Sequence, residues 1–476
     1  MQDFVKRALD SSEAAGATFA EVRIEDREVQ GVSVKNGVVD SLLTRSSQGI
    51  GVRVIAGGAW GFAATPNLTG PEIDRVACLA VTIARASALA KKADVELGGQ
   101  PVQRGVYRTP FEVDPFSVSL DAKIELLLAA DRAMRSVRGL SVAESSVGCI
   151  RVRKTYANSQ GSLVEQELVE TGGGIVATAV EEEEVQQRSF PNSFGRHQGT
   201  GGWELVEAMH LAEAGPRMAE QAVALLSAPH CSSDTTTVVI DPTQMALQVH
   251  ESCGHAVELD RVLGWEASYA GTSFLTPDKL GIRYGSEQVS IVADGTSATG
   301  LGTYGWDDEG VAATVTPLID RGIFVGYLSS RETAARLGNA SSGAARASSW
   351  NRIPLVRMTN VNLLPGDWTL EGLIADTDRG LYLETNRSWS IDDKRLNFQF
   401  GTEIAWEITN GRLGRMVKNP TYGGITPEFW GSCDGVAREW QVWGTTNCGK
   451  GQPGQTIHVG HGAAPARFRG VRVGIA

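Results

Sequence analysis

The chain has 476 residues, room for two to four domains at roughly 100–200 residues each, and its 42% hydrophobic and 21% charged content excludes a disordered or fibrous protein. Lys and Arg total 44 against 55 Asp and Glu, a net charge of −11 with no basic cluster, which argues against nucleic acid as the main ligand. No apolar run reaches the roughly 18–20 residues of a membrane span, and the opening MQDFVKRALDSSEA lacks the apolar core of a secretory signal, so no membrane association and a cytoplasmic location are expected, with the cysteines as free thiols or metal ligands.

Residues 2–15 read as an amphipathic helix stopped by Gly16. Alternating runs follow, AEVRIED, VQGVSVKNGVVDSLLT and GIGVRVIAGGAWGFAAT, with Asn36-Gly37 as a hairpin turn. A second helix is expected from Pro71 to about Lys92, Pro being suited to a first helical position. The pattern then recurs: a helix over 120–137, strand-like runs over 141–190 with a turn at residues 158–161, and a helix over 203–227 with a kink at Pro216. Helix, meander, helix, twice over, suggests an internal duplication near 1–95 and 119–228. The acidic run 181–184 reads as a solvated strand end or turn. After Ala228-Pro229 the chain becomes rich in Gly, Thr and short β-like runs. The expected fold is α+β: an α/β N-terminal domain over 1–228, with β-meanders flanked by helices, and a β-rich C-terminal domain over 229–476. The latter carries one informative helix, starting near Pro242 and running through QMALQVHESCGHAVELDRVL.

That helix holds the chemistry. His250, Glu251 and His255 form the pattern H-E-x-x-x-H. Two imidazoles suit a transition metal such as zinc, and an adjacent carboxylate suits a general base. At about 100° per residue, a spacing of five leaves the two rings roughly 140° apart on a regular helix. One metal therefore requires a bulged or broken helix, and a π-turn supplies the extra residue; Gly254 tolerates the distortion best. A third protein ligand is needed. Cys448 in GTTNCGKGQPGQ and Cys433 in EFWGSCDGV, both read as loops, are candidates. Cys253 is expected to pack in the core. His458 and His461 are expected in solvent or structural roles ahead of lining the site, and His197, His210 and His230 carry no pattern. Trp60, Phe62, Tyr304 and Trp306 are expected to pack in the core before lining a substrate path, and Asp307, Asp308 and Glu309 read as a turn without ligand roles.

These residues sit in an ordered set of motifs. VHESCGHAVELD is followed by YGWDDEGV, RGIFVGYLSSRETAARLG, RIPLVRMTNVNLLPGD, RGLYLE, VKNPTYGGITPEFW and NCGKGQPGQ; VSVKNGVVDSL, GIGVRVIAGGAWGFAAT and TYANSQG precede it. Together they resemble the TldD/PmbA family of metallopeptidases, in its catalytic, metal-binding type, over nearly the whole chain. The resemblance implies one zinc held by His250, His255 and Cys448, with Glu251 as general base, and a two-domain fold. It also implies a homodimer, or a heterodimer with a related subunit, enclosing a cavity entered by unfolded peptides. Iron or cobalt would accept the same imidazole and thiolate donors. The segment IHVGHGAAP departs from the family's expected pattern in carrying two histidines. A non-catalytic adaptor with a closed, structural metal site is the competing reading, and DNA-associated regulation the weakest.

Overall fold

The computed structural model describes residues 1–474. Helix α1 (Gln2–Ala14) turns Val5 and Ala8 into the core and ends before Gly16, whose positive φ of +98° breaks the helix. Strands β1 (Phe19–Lys35) and β2 (Val38–Ala56) pair through Asn36 and Gly37, both left-handed as a two-residue hairpin turn requires. Strand β3 (Ala59–Thr65) and helix α2 (Gly70–Ala88), with Pro71 in its first turn, complete this unit. After β4 (Arg104–Arg108) the second unit begins with α3 (Leu120–Arg135), capped by the Ser119 hydroxyl. Strands β5 (Val142–Asn158) and β6 (Leu163–Glu181) are joined by a turn in which the Asn158 carboxamide accepts from the amides of Gln160 and Ser162. Strands β7 (Glu184–Phe190) and β8 (His197–Thr200) both pair with β6.

The two units share one eight-stranded sheet, in the order β3-β2-β1-β5-β6-β4, fused where β1 runs antiparallel to β5 from Glu21↔Asn158 to Lys35↔Glu144. Helices α1 and α2 cover one part with small apolar residues such as Ile73, Val76, Ala77 and Ala80. The segment 203–227 differs from the expected single helix. It forms α4 (Glu204–Glu207) and α5 (Leu211–Ser227), and the break is at His210, not at Pro216. His210 has a left-handed φ of 48°, which a right-handed helix cannot continue, whereas Pro216 lies inside α5.

The C-terminal region is built on a sheet that closes on itself. Strand β9 (Asp234–Ile240) lies between Arg379–Ile391 and Ala466–Val473; pairing continues through Thr421–Ile425 and Asn397–Thr409 back to Arg379–Ile391. Its interior joins the largest core, with Val238, Ile240, Phe400, Tyr422, Trp430 and Phe468 fully buried. Beyond β9 the chain enters α6 (Pro242–Val249), where Asp241 caps the Thr243 amide and Pro242 opens the first turn. A hairpin of Gln441–Lys450 and Gln455–Ala463 lies against α6 and meets β8 of the N-terminal sheet. Buried charge pairs join the regions: Asp308 to Lys154 at 3.1 Å, Glu309 to Arg53 at 2.7 Å, and Glu403 to Arg188 at 3.1 Å. Among the described residues no helix is long and apolar enough to cross a membrane.

Candidate metal centre and its cleft

The helix that starts at Pro242 does not stay regular. It widens into a π-turn over His250–Gly254, tightens to a 3-10 turn over His255–Val257, and breaks at Glu258. The five-residue histidine spacing requires this: the widened turn brings the His250 and His255 rings to 4.8 Å between centroids. Gly254 keeps ordinary helical angles, φ −51° and ψ −57°, so backbone freedom is not what selects it; a Cβ there would collide with the Met358 sulfur, and close packing selects glycine.

Cys448 arrives from the other side. The expected loop around it is a strand, Gln441–Lys450; alternation is masked by Gly, Thr and Asn, but pairing with Gln455–Ala463 enforces the extended form. The register slips between Thr445 and Cys448, a bulge that re-aims the residues beside the cleft. His250, His255 and Cys448 each offer one donor atom, all within 4.8 Å of one another and all buried. Among the described residues this is the one such group of His, Cys, Asp or Glu.

The hydrogen bonds behind the histidines fix which nitrogens face inward. His461 Nδ1 lies 3.1 Å from the Val361 carbonyl, which can only accept, so that nitrogen carries the proton. In a neutral ring His461 Nε2 then accepts, and His250 Nδ1, 2.8 Å away, must donate to it. This leaves the lone pair of His250 on Nε2. His255 Nδ1 donates to Glu258 Oε2 at 2.8 Å, leaving its Nε2 facing the Cys448 sulfur at 3.7 Å. Burial holds the His250, His255 and His461 rings below the usual histidine range, so they are neutral near pH 7. Burial pushes the Cys448 thiol up, but its neighbours, the Arg357 guanidinium among them, outweigh it and hold the thiol below its ordinary value. Two bare imidazole nitrogens and a readily ionised thiol, converging and fixed from behind, are the donor chemistry of a tetrahedral transition-metal site with one position left open.

Behind Glu258 lies a fully buried charge cluster. Lys450 Nζ contacts Asp260 at 2.6 Å, Glu258 at 3.2 Å and the Val356 carbonyl at 2.6 Å. Glu266 beside it is pushed up to about 7, burial outweighing Lys450. In front, Glu251 Oε2 accepts from Arg395 Nη1 at 2.7 Å. The open side is a cleft of about 270 Å³, whose lining includes Glu251, Arg395, Asn386, Trp389, Thr446, Asn447 and, from the N-terminal region, Phe194 and Arg196.

The other candidates are placed as follows. Cys253 packs in the core beneath Tyr284, its thiol pushed up to about 12 by burial. Cys433 lies in a strand, Cys433–Val436, not in a loop, and its thiol is also pushed up to about 12 by burial. His461 is not in solvent; it is fully buried behind His250 because the Gln455–Ala463 strand alternates it inward. His458 pairs with Glu170 of the N-terminal sheet at 2.6 Å. None of Trp60, Phe62, Tyr304 and Trp306 lines the metal-site cleft; Trp60 and Phe62 line a separate cavity. Asp307 caps the amides of Glu309 and Val311, and Asp308 and Glu309 pair with cations of the N-terminal sheet. Sequence reasoning missed Arg395, Arg196, Glu258 and Lys450 as parts of the site. Glu258 and Lys450 had local signals, lying three residues after His255 and two residues after Cys448 in the same motifs.

A mixed α+β fold with a buried His-His-Cys cluster beside a carboxylate defines a metallopeptidase-like architecture, and comparison with known proteins agrees. Three family domains match in order: PmbA/TldA metallopeptidase domain 1 over residues 20–84, the central domain over 113–226 and the C-terminal domain over 233–474. The chain belongs to the PmbA/TldD family of metallopeptidases. It is 32% identical over 458 residues to a metalloprotease of Methanothermobacter thermautotrophicus, covering 96% of this chain and 95% of that one. It is 27% identical over 468 residues to a metalloprotease TldD homolog of Haemophilus influenzae, covering 93% and 89%. The crystal structure of TldE from Thermococcus kodakarensis superposes with a TM-score of 0.77 at 17% identity, covering 99% of each chain. The enzyme is a metallopeptidase.

Proposed function

We propose that this enzyme is a zinc-dependent peptidase acting on unfolded peptides, with His250, His255 and Cys448 as metal ligands and Glu251 as general base. The observation that carries the reading is the convergence of three bare donor atoms, with no fourth His, Cys, Asp or Glu joining them among the described residues. A structural zinc site would be closed by a fourth protein ligand. His461 Nε2 is already engaged by His250, and Cys253 and Cys433 are committed to the core.

When bound, the metal supplies a Lewis acid that polarises a peptide carbonyl and makes water more acidic. Glu251, next to His250 on the π-turn and lining the cleft, takes the proton of the attacking water and hands it to the leaving amine. Arg395 fixes one carboxylate oxygen, leaving the other to move the proton. The burial of His255 and Cys448 at the base of the cleft keeps bulk water from the donors. A cleft of about 270 Å³ admits an extended chain more readily than a folded surface, which supports unfolded substrates. Assembly as a homodimer, or with a related subunit, would deepen this enclosure. Six free cysteines support a reducing, cytoplasmic setting.

The test is mass spectrometry of unstructured peptides incubated with the zinc-loaded native chain and with Glu251→Ala. Cleavage by the native chain alone, with equal zinc content in both, is the expected result. Zinc bound by both and no cleavage by either would overturn self-sufficient peptidase activity and favour a non-catalytic subunit.

A further inference from the structure

The cleft carries two arginines and one carboxylate. Arg395 is committed to Glu251 at 2.7 Å. Arg196 is exposed and makes no ion pair and no side-chain hydrogen bond among the described residues. No other Asp or Glu lines the cleft.

An exposed arginine is ordinary; one aimed by a fixed support beside reacting groups is not. Arg196 lies between β7 and β8, on a segment anchored in both regions of the molecule. The Ser189 hydroxyl accepts from the Phe194 amide at 3.1 Å and donates to Glu403 Oε1 at 2.6 Å. Glu403 is fully buried and accepts in turn from the Ser189 amide at 2.7 Å and from Arg188 at 3.1 Å. Arg188 is itself fully buried and also meets Glu384 and Gln221. This carboxylate-guanidinium post holds the loop so that it closes one wall of the cleft, although its residues belong to the N-terminal sheet and the ligands to the C-terminal region.

Two large aromatic rings flank the same opening, Phe194 at 40% and Trp389 at 42% exposure. Rings so exposed at a cleft rim offer apolar surface to a peptide, and the Thr445–Cys448 bulge leaves Thr446 and Asn447 outside the hairpin pairing at the same wall. A guanidinium with its donors free, beside such a channel, is matched by a carboxylate.

We propose that Arg196 is a specificity-determining residue that selects peptides by receiving a substrate carboxylate in the cleft. The inference rests on the peptidase reading above and names the substrate class for it. The carboxylate has two sources, an Asp or Glu side chain or a free peptide C-terminus, which present the same chemistry.

The experiment uses alanine-rich decapeptides with one Glu, Gln or Lys scanned along them, each with a free or amidated C-terminus. Zinc-loaded native chain, Arg196→Gln, Arg196→Lys and Arg196→Glu are compared by kcat/KM. The native chain is expected to favour Glu over Gln peptides, or free over amidated ends, by roughly ten- to hundredfold, the usual worth of a charge-assisted hydrogen bond. Arg196→Gln should erase that ratio, Arg196→Lys retain part of it, and Arg196→Glu turn it toward Lys peptides. A preference that follows the side chain assigns an internal Asp or Glu; one that follows amidation assigns the C-terminus. Rates that are equal across Glu and Gln peptides and across free and amidated ends, or a preference that survives in Arg196→Gln, would overturn the proposal. If no peptide is cut, the peptidase reading fails separately. Fluorescence anisotropy of the same labelled peptides on the native chain and the three variants then decides, binding that is absent, or equal across Glu and Gln peptides and across free and amidated ends, overturning the role of Arg196.

Discussion

In the N-terminal sheet, stability comes from small apolar side chains in regular elements. Helix α2 buries Ile73, Val76, Ala77, Ala80, Val81 and Ala84 at helical spacing, and α3 with α5 does the same through Ala130, Met134, Met218 and Ala222. Around the His pair the buried groups are instead Glu258, Asp260, Lys450, Glu266, Arg261 and Arg357, gathered about a helix that widens, tightens and breaks within ten residues, from Val249 to Glu258. The helix-covered faces of the first region behave as packing, in which each contact is replaceable. The second behaves as a wired assembly, in which each charge exists because another is present. The difference teaches where substitutions cost fold and where they cost function.

The largest expected effect separates the two directly. His255→Ala and Cys448→Ser remove a converging donor and should abolish stoichiometric metal binding and peptidase activity, while the far-UV circular dichroism stays native. Leu127→Ala, at a fully buried position under the N-terminal sheet, should do the reverse. It should lower unfolding free energy by about 2–5 kcal/mol and leave one metal per chain. Metal analysis beside urea unfolding checks both; loss of metal in Leu127→Ala would show that the regions are not separable.

Next comes the charge cluster. Lys450 is fully buried and faces Glu258 and Asp260, so Lys450→Met leaves two carboxylates uncompensated. A cost of about 3–5 kcal/mol is expected, larger than most single apolar truncations in the N-terminal sheet. A double change, Lys450→Met with Asp260→Leu, should recover part of it. No recovery would mean that Lys450 acts mainly through its bond to the Val356 carbonyl.

These contrasts follow what could be read in the chain. The N-terminal elements were legible because each rests on local periodicity: the Asn36-Gly37 turn, Pro71 and the apolar spacing of α2 are all short-range signals. The π-turn was legible for an unusual reason, since five-residue spacing makes a regular helix incompatible with one metal. The strand around Cys448 was not legible, because Gly and Thr hide alternation and its pairing comes from the following strand. Arg395 lies 144 residues from Glu251, Lys450 lies 190 from Asp260, and His461 lies 211 from His250. Long-range closure of the C-terminal sheet makes those contacts, and no local pattern announces it.

A smaller effect is expected at His461. His461→Phe removes the acceptor that orients His250 and should weaken metal affinity by about 10–100-fold without unfolding the chain. Competition with a fluorescent chelator measures it. Full retention of affinity would mean that packing alone orients His250.

The smallest effect lies where the two regions touch. His197 of β8 packs at a tilt against Trp443 of the C-terminal hairpin, 5.1 Å between ring centroids, and its Nδ1 faces the Gly444 amide, so the neutral ring is the one that fits. Burial lowers its pKa from 6.5 to about 4. The unfolded chain therefore takes up a proton below pH 6.5 that the folded chain refuses until about pH 4. The contribution of His197 to stability is complete above pH 6.5 and is lost as pH falls toward 4. His197→Phe keeps a ring against Trp443 and removes the titration. Between pH 7 and pH 4.5 the native Tm should fall further than that of the variant, by no more than about 2–4 °C. Parallel curves would place the acid sensitivity elsewhere, in the carboxylates that tie the sheet to the metal centre, and would make the contact between the regions a packing contact like those within the N-terminal sheet.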